Sequence, residues 1–464
     1  MMFSDTIAAI STALGEAGIG IIRISGNEAI NIADQVFRGK GKKQLTELPG
    51  FTVRYGKIVD SEGTTIDEAL ALVMRAPNSY TGEDVVEFQC HGGVVVMQKI
   101  LDLLLSLGAR LAEPGEFTKR AFLNGRMDLS QAEAVIDIIR SKTDRSLGVA
   151  VQQLEGSLSR RIQSLREKLY DLIVQVEVAI DFPEDDIPEI GLETMKTVLL
   201  DVLAEITKLI ETADNGKVLR EGIKTVITGK PNVGKSSLLN RLLDENRALV
   251  TDIPGTTRDI IEEVLNINGI PLRLIDTAGI RDSEDRVEQL GVQRALELVD
   301  EADLILHVLD ISRELESEDI QLLTKLKERK RILIINKVDL PRQWDSRSYL
   351  LSSGYIDEQV PVVEISLTED KLDPLLDCIV GLIMGGLVQI ERENAIITRS
   401  RHKHALAEAK QDLEQALETL DQGLPIDLIS IGLNGALEHL GEITGETVRE
   451  NIIERIFAQF CIGK

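Results

Sequence analysis

Apolar positions along the chain change period more than once. Residues 1 to about 124 alternate short apolar runs with glycines: Ile19–Ile24, Ala69–Met74 and Asp84–Gln89 read as strands, and Val95–Leu107 reads as a helix. This mixture predicts an α+β domain. From Asp128 the pattern lengthens to helical spacing. Ser130 with Glu133 predicts a capping box before an apolar run. Leu158, Ile162, Leu165, Leu169, Leu172 and Val176 fall on one helical seam, which Phe182, Pro183 and the acids Glu184, Asp185 and Asp186 end. Met195, Val198, Val202, Ile206 and Leu209 mark a further helix before Asn215 and Gly216.

Between about 220 and 383 the pattern becomes that of buried strands separated by helices. Lys224–Thr228, Leu272–Ile275 and Arg331–Ile335 are apolar runs of strand length, and Asn268-Gly269 between Ile260–Ile267 and Leu272–Ile275 signals a hairpin. Helical spacing returns at about 400, with Leu406, Leu413, Ala416, Leu417 and Leu420 on one face. Neither helical piece is a globular unit of its own. The expectation is a multidomain chain: an α+β domain over 1–124, helical pieces over 125–219 and 384–464 forming one discontinuous bundle, and an α/β domain over 220–383 inserted into it.

Composition narrows the classes. At 464 residues with 43% hydrophobic content the chain can bury several cores, and disorder is not expected. No apolar run is long enough for a membrane span, and Met1–Asp5 lacks a basic leader region. Cys90, Cys378 and Cys461 offer neither a disulfide framework nor metal-ligand spacing, which suits a reducing cytoplasm. A net charge of −25 argues against non-specific coating of nucleic acid, so an RNA substrate would need a local basic surface. Arg399-Ser-Arg401-His402-Lys403-His404 is the clearest candidate, with a solvated helix start as the plainer reading.

The chemistry is most legible at Gly229–Ser236, whose G-x-x-x-x-G-K-S spacing is a phosphate loop between a strand and a helix. Asn232, Val233, Gly234, Lys235, Ser236 and Ser237 are the candidate contacts, with backbone N–H groups and Lys235 on phosphate oxygens and Ser236 on Mg²⁺. Asp276, Thr277, Ala278 and Gly279 follow an apolar strand where a second carboxylate would approach the metal and γ-phosphate. Asn336, Lys337 and Asp339 follow another such strand. There Asp339, an acceptor only, suits the N1–H and amine edge of guanine, which adenine lacks. Asn336 can bridge base and loop, and the stem of Lys337 can cover the ring. These segments predict a site for GTP.

Thr251, Asp252, Ile253, Pro254, Gly255, Thr256 and Thr257 lie between loop and strand, where a threonine, best Thr257, completes Mg²⁺ coordination. Many GTPases carry a water-orienting glutamine after the Asp-x-x-Gly motif; here the residue is Ile280. Hydrolysis therefore needs another device. A monovalent cation could supply the charge, with Asn232 and the Thr251–Thr256 segment as ligands, and the acids between Asp282 and Glu288 are candidates to orient water.

Further motifs run through the whole chain: Asp5-Thr-Ile-Ala, Gly18–Gly26, Pro77–Asp84, His91-Gly-Gly93, Pro114–Thr118 through Asn124-Gly-Arg126, Thr256-Thr-Arg-Asp259 and the terminal Cys461-Ile-Gly-Lys464. On these the chain resembles the MnmE (TrmE) family of tRNA-modifying GTPases over essentially its full length. The resemblance implies a cytoplasmic enzyme acting at C5 of the wobble uridine of certain tRNAs. It also implies a flavin- and NADH-using partner, MnmG (GidA), and a homodimer formed by the N-terminal domain. The one-carbon donor implied is a 5,10-methylene- or 5-formyl-tetrahydrofolate. The family's folate contacts map onto Arg23, Glu87, Arg126 and Lys464, where Arg126 replaces a frequent lysine. Its K⁺ ligands map onto Asn232, Thr251, Ile253 and Thr256, its Mg²⁺ ligands onto Ser236 and Thr257, and its water-orienting glutamate onto Glu288. The last guanine loop, commonly Ser-Ala-Lys, is here Ser366-Leu-Thr368. Cys461 stands as either a reactive group or a packing residue. The competing class is a ribosome-assembly GTPase switch without modification chemistry, which would append an RNA-binding module.

Overall fold

A computed structural model describes residues 5–41, 43–181, 190–246, 263–275, 299–369, 372–384 and 395–464. They fall into two compact units. One comprises Met1–Ile136, Gln153–Ala204 and Ala405–Lys464; the other comprises Asp137–Gln152 and Glu205–His404.

The first unit contains a seven-stranded sheet of β1 (Ile7–Ile10), β2 (Gly20–Ser25), β3 (Phe37–Gly39), β4 (Thr52–Val59), β5 (Thr65–Met74), β6 (Val85–Cys90) and β7 (Arg110–Leu111). Its order is β3-β4-β5-β6-β2-β1-β7. Alternation decides its faces. On β2, Ile22 and Ile24 point inward, joining Val86 and Phe88 of β6 and Met97 and Ile100 of helix Val94–Ser106 in one core. Arg23, between them, takes the opposite face, directly across from Glu87. Before β2 the chain bends through Gly15 and Gly18, and a Cβ on Gly20 would lie 2.4 Å from the Met97 sulfur, so Met97 would have to shift.

The same unit holds most of the long helices expected of the bundle, while Asp137–Gln152 and 205–219 fall in the second unit. Every residue of the expected seam from Leu158 to Val176 is buried on Ser157–Asp181, which packs against Ile426–Thr444. Gly432 and Gly435 let that helix approach Asp412 and Ala416 on Ser400–Asp421. Two sequence readings need correction. The cap of helix Leu129–Arg140 is Asp128 with Gln131, each side chain accepting the other's backbone N–H at 3.0 Å, while Ser130 and Glu133 lie buried within the helix. On Ile190–Glu211, Leu199 occupies the buried face and Val198 only its margin.

The second unit is built on β8 (Ile223–Thr228), β9 (Glu263–Ile267), β10 (Ile270–Leu274), β11 (Leu304–Asp310), β12 (Arg331–Asn336) and β13 (Val362–Ile365), in the order β13-β12-β11-β8-β10-β9. All pairs are parallel except the β9–β10 hairpin, where Asn268 (φ 50°) and Gly269 (φ 88°) supply the two left-handed positions a two-residue turn demands. Helices Lys235–Asn246 and Asp373–Met384 cover one face of the sheet, and Ser317–Lys325 and Ser346–Ser352 the other. Burial on both faces explains why apolar residues dominate β11 and β12 with little alternation. His307 within β11 is fully enclosed, and burial together with the Arg331 charge pushes its imidazole down to about 3, so it is neutral. Among the described residues no helix is long and apolar enough to cross a membrane.

Candidate functional site

Parallel strands aim their C-terminal ends, and the loops that follow, at one edge of the sheet, and there the second unit has a cavity of about 480 Å³. Asn232, Gly234, Lys235, Ser236 and Ser237 form one wall, Asn336, Lys337, Asp339 and Leu340 another, and Ser366, Leu367 and Thr368 a third. The phosphate loop follows β8 and runs into helix Lys235–Asn246, so that helix's N-terminus faces the cavity. The loop is tight enough that its glycines are obligatory. Gly229 has φ +142°, and a Cβ on it would sit 2.4 Å from the Val308 carbonyl; Gly234 has φ +110°, and a Cβ there would sit 2.2 Å from Asn336 Nδ2.

Cross-links hold the walls in register. Asn336 Nδ2 donates to the Val233 carbonyl at 2.7 Å, and Asn336 Oδ1 accepts the Leu367 N–H at 3.2 Å. One side chain thus ties the strand end to both neighbouring loops. Lys337 Nζ donates to the Asn232 carbonyl at 2.9 Å and to Asp310 Oδ2 at 2.5 Å. Lys235 Nζ lies back on its own loop, donating to the Lys230 carbonyl at 2.6 Å. Burial raises the Asp310 carboxyl, but the hydrogen bonds from Lys337 and Ser312 outweigh it and hold it below its ordinary value. Asp310 and Leu340 were not anticipated from sequence. An acid closing an apolar strand two residues before a serine is the only signal Asp310 gives. Val233 contributes its carbonyl to Asn336 and buries its side chain, outside the cavity lining. Thr251, Asp252, Ile253, Pro254, Gly255, Thr256, Thr257, Asp276, Thr277, Ala278, Gly279 and Glu288 lie outside the described residues.

A second cluster occupies the first unit. Arg23 Nε donates to Glu87 Oε1 at 2.8 Å, and the guanidinium lies 4.9 Å from the Tyr80 ring centre and 5.5 Å from that of Phe117. Arg126 covers Tyr80 at 5.1 Å and donates to its carbonyl at 2.8 Å. The C-terminal tail is pinned against β1: Ser11 Oγ donates to the Gly463 carbonyl, and a Cβ on Gly463 (φ +94°) would meet the Ile10 carbonyl at 2.3 Å. This places Lys464 within reach of the Arg23 and Glu87 charges; burial first, then Arg23, pushes its ammonium below the ordinary lysine value. Arg23, Glu87, Arg126 and Lys464 therefore come together, with Tyr80 and Phe117 as aromatic walls that sequence alone did not reveal. Cys461 is exposed, its carbonyl accepting the Gly115 N–H at 3.3 Å.

The basic run at 399–404 is not an open cationic surface. Arg399 pairs with Asp137 at 2.8 Å with both side chains mostly buried, His402 is fully buried, and Lys403 pairs with Asp214 at 2.7 Å.

A phosphate loop after the central β8, with a base-side Asn-Lys-x-Asp segment after β12, defines a phosphate-loop protein of the GTPase class. The family described as "GTP-binding protein TrmE N-terminus" matches residues 6–126, and the one described as "MnmE helical domain" matches residues 129–461. The tRNA modification GTPase MnmE of Clostridioides difficile (strain 630) is 50% identical over 464 residues, covering 100% of both chains. That of Geobacillus thermodenitrificans (strain NG80-2) is 52% identical over 464 residues, covering 99% of each. The G domain of the T. maritima FeoB iron transporter covers 34% of this chain and 98% of its own at 27% identity, with a TM-score of 0.25, too low to weigh on the architecture. The chain belongs to the MnmE family of tRNA modification GTPases.

Proposed function

We propose that the protein binds and hydrolyses GTP in the β8–β12 cavity and couples turnover to modification of C5 of the wobble uridine in certain tRNAs. The observation that carries this reading is the meeting of the phosphate loop, Asn336–Asp339 and Ser366–Thr368 around one cavity of nucleotide size. The residues present fit the ligand. The phosphate loop, tight enough that a Cβ on Gly234 would sit 2.2 Å from Asn336 Nδ2, would present backbone N–H groups to phosphate, and Lys235, which lines the cavity, would reach the β/γ oxygens. Asp339 accepts from the guanine N1–H and amine, and the Lys337 stem covers the ring.

Ser236 and Thr257 would hold Mg²⁺, and Asn232, Thr251, Ile253 and Thr256 would hold K⁺. Bound there, the two cations would offset the negative charge that develops on the β/γ-bridging oxygen during hydrolysis. Glu288 would orient the attacking water, the task Ile280 cannot perform.

The Arg23 cluster fits a reduced folate. Arg23 Nη1 is buried with no hydrogen-bond partner, a donor awaiting a ligand oxygen between two aromatic rings. Glu87 would accept from pterin N–H groups, while Arg126 and Lys464 offer donors to carboxylate or carbonyl oxygens. A 5,10-methylene- or 5-formyl-tetrahydrofolate bound there supplies the one-carbon unit. The remaining participants are a second copy of the chain, paired through the N-terminal domain, and the flavoprotein MnmG carrying FAD and NADH, in the cytoplasm.

The test is reconstitution: the chain, flavoprotein with FAD and NADH, unmodified tRNA, GTP, methylene-tetrahydrofolate and glycine as the amine donor, with nucleosides read by mass spectrometry and GTP turnover measured in KCl and in NaCl. Modified wobble uridine should form in KCl, fall sharply in NaCl and vanish with Lys235→Ala. Unmodified uridine with every component present would overturn the proposal, and equal GTP turnover in both salts would remove the K⁺ site.

A further inference from the structure

Two non-glycine residues at the nucleotide cavity hold left-handed backbone: Asn232 at φ 62° and Lys337 at φ 65°. Asparagine tolerates that region, whereas lysine is strained in it and persists only where its surroundings over-determine it. What surrounds Lys337 is a short chain of polar contacts. Its ammonium joins the carbonyl of Asn232, on the phosphate side of the cavity, to the carboxylate of Asp310.

Asp310 is itself fixed from several directions. It ends β11 directly opposite Asn336 in the β11–β12 register and is 6% exposed. Its Oδ1 accepts from Ser312 N–H at 2.9 Å and Ser312 Oγ at 2.6 Å, and its carbonyl accepts from Trp344 Nε1 at 3.3 Å. Arg313 also lies near it, with Nε 3.8 Å from Oδ2. The carboxylate does not line the cavity, and among the described residues Lys337 is what joins it to the cavity wall.

We infer that Asp310 is a positioning residue of the nucleotide site, orienting Lys337 and, through it, the left-handed turn at Asn232, so that the base and phosphate sides of the cavity are set before nucleotide arrives. The inference rests on reading this cavity as the guanine-nucleotide site. Without the carboxylate, Lys337 keeps a single neutral acceptor and its ammonium competes for water. The loop at Asn232 must then be ordered by the ligand itself, which shortens residence time. The Asn336 bridge to Val233 and Leu367 is untouched, so the cavity loosens without collapsing.

The full-length chain, its Asp310→Asn and Lys337→Met variants and the double variant are mixed with fluorescent N-methylanthraniloyl-GDP in a stopped-flow instrument. A urea midpoint without nucleotide is measured for each. Asp310→Asn should raise the dissociation rate about tenfold, the scale of one hydrogen bond to a charged group, with association little changed. The double variant should dissociate no faster than Lys337→Met alone, because both remove one chain of contacts. Multiplicative effects in the double variant, or a lowered urea midpoint with unchanged dissociation, would make Asp310 a purely structural residue and overturn the inference. Failure of the unaltered chain to bind GDP would overturn the nucleotide reading itself, and the inference with it.

Discussion

The nucleotide cavity takes its shape from three loops at strand ends, one opened by Gly229 and Gly234 and tied to the others by Asn336, whereas the Arg23 cluster is made of side chains drawn from β2, β6, the Tyr80 loop, helix Glu116–Leu123 and the last residue of the chain. The first kind of site tolerates side-chain variation around a fixed backbone. Ser366-Leu-Thr368 stands in its wall where the family commonly has Ser-Ala-Lys. The second kind has no such slack. Arg23 and Glu87 are each about one-eighth exposed, and each is the other's charge partner. Side-chain changes at the base-side wall of the nucleotide site should therefore weaken it by degrees, whereas one change in the Arg23 pair should abolish its site.

The sharpest break in that comparison is Glu87→Ala. Removing one member of a mostly buried pair leaves an uncompensated charge, which costs about 3–5 kcal/mol. Binding of 5-formyl-tetrahydrofolate should disappear in calorimetry and the chain should unfold at lower denaturant, while GTP turnover is retained because the second unit is untouched. Wild-type folate affinity in this variant would place that site elsewhere.

Asp339→Asn tests the other side at smaller amplitude. The carboxylate acts on a ligand edge at a cavity wall, so the loss is that of charge-assisted hydrogen bonds, about 1.5–3 kcal/mol. GTP should bind about 10- to 100-fold more weakly. XTP should gain, because an amide can donate to the xanthine 2-oxo group. Unchanged preference in a competition assay would separate Asp339 from base recognition.

Legibility in the sequence follows the same division. The phosphate loop and the Asn336 segment could be read because each is contiguous and stands at the end of an apolar strand, whereas the Ser366 loop came from the family resemblance. Asp310 could not, since an acid two residues before a serine describes any turn after a strand. Tyr80 and Phe117 stayed hidden because nothing in spacing brings them to Arg23. Nor does spacing show that Ser11 meets Gly463, 452 residues away. Family motifs supplied Arg23, Glu87, Arg126 and Lys464, and the structure supplied their walls. In the helices, the Leu158–Val176 seam was legible because its apolar residues recur every three or four positions across five turns. Val198 and Leu199 are adjacent apolar residues, so a step of one position turns the face by about 100° and periodicity could not choose between them.

The capping error sharpens the comparison further, at the smallest scale. Two acceptable boxes overlap, Asp128 with Gln131 and Ser130 with Glu133, and pattern alone cannot rank them. Packing ranks them: Ser130 and Glu133 are buried, while Asp128 and Gln131 sit where the first-turn N–H groups emerge. Asp128 follows Arg126 by two residues, so the cap also anchors the segment that presents Arg126 to Tyr80. Asp128→Ala should cost about 1 kcal/mol, seen as a lower urea midpoint with unchanged slope. Folate should bind slightly more weakly because Arg126 is less well held, and GTP turnover should not change. An unaltered midpoint would show that water serves the helix end as well as Asp128 does. Lost GTP turnover would mean that the Arg126 segment and the nucleotide cavity are not independent.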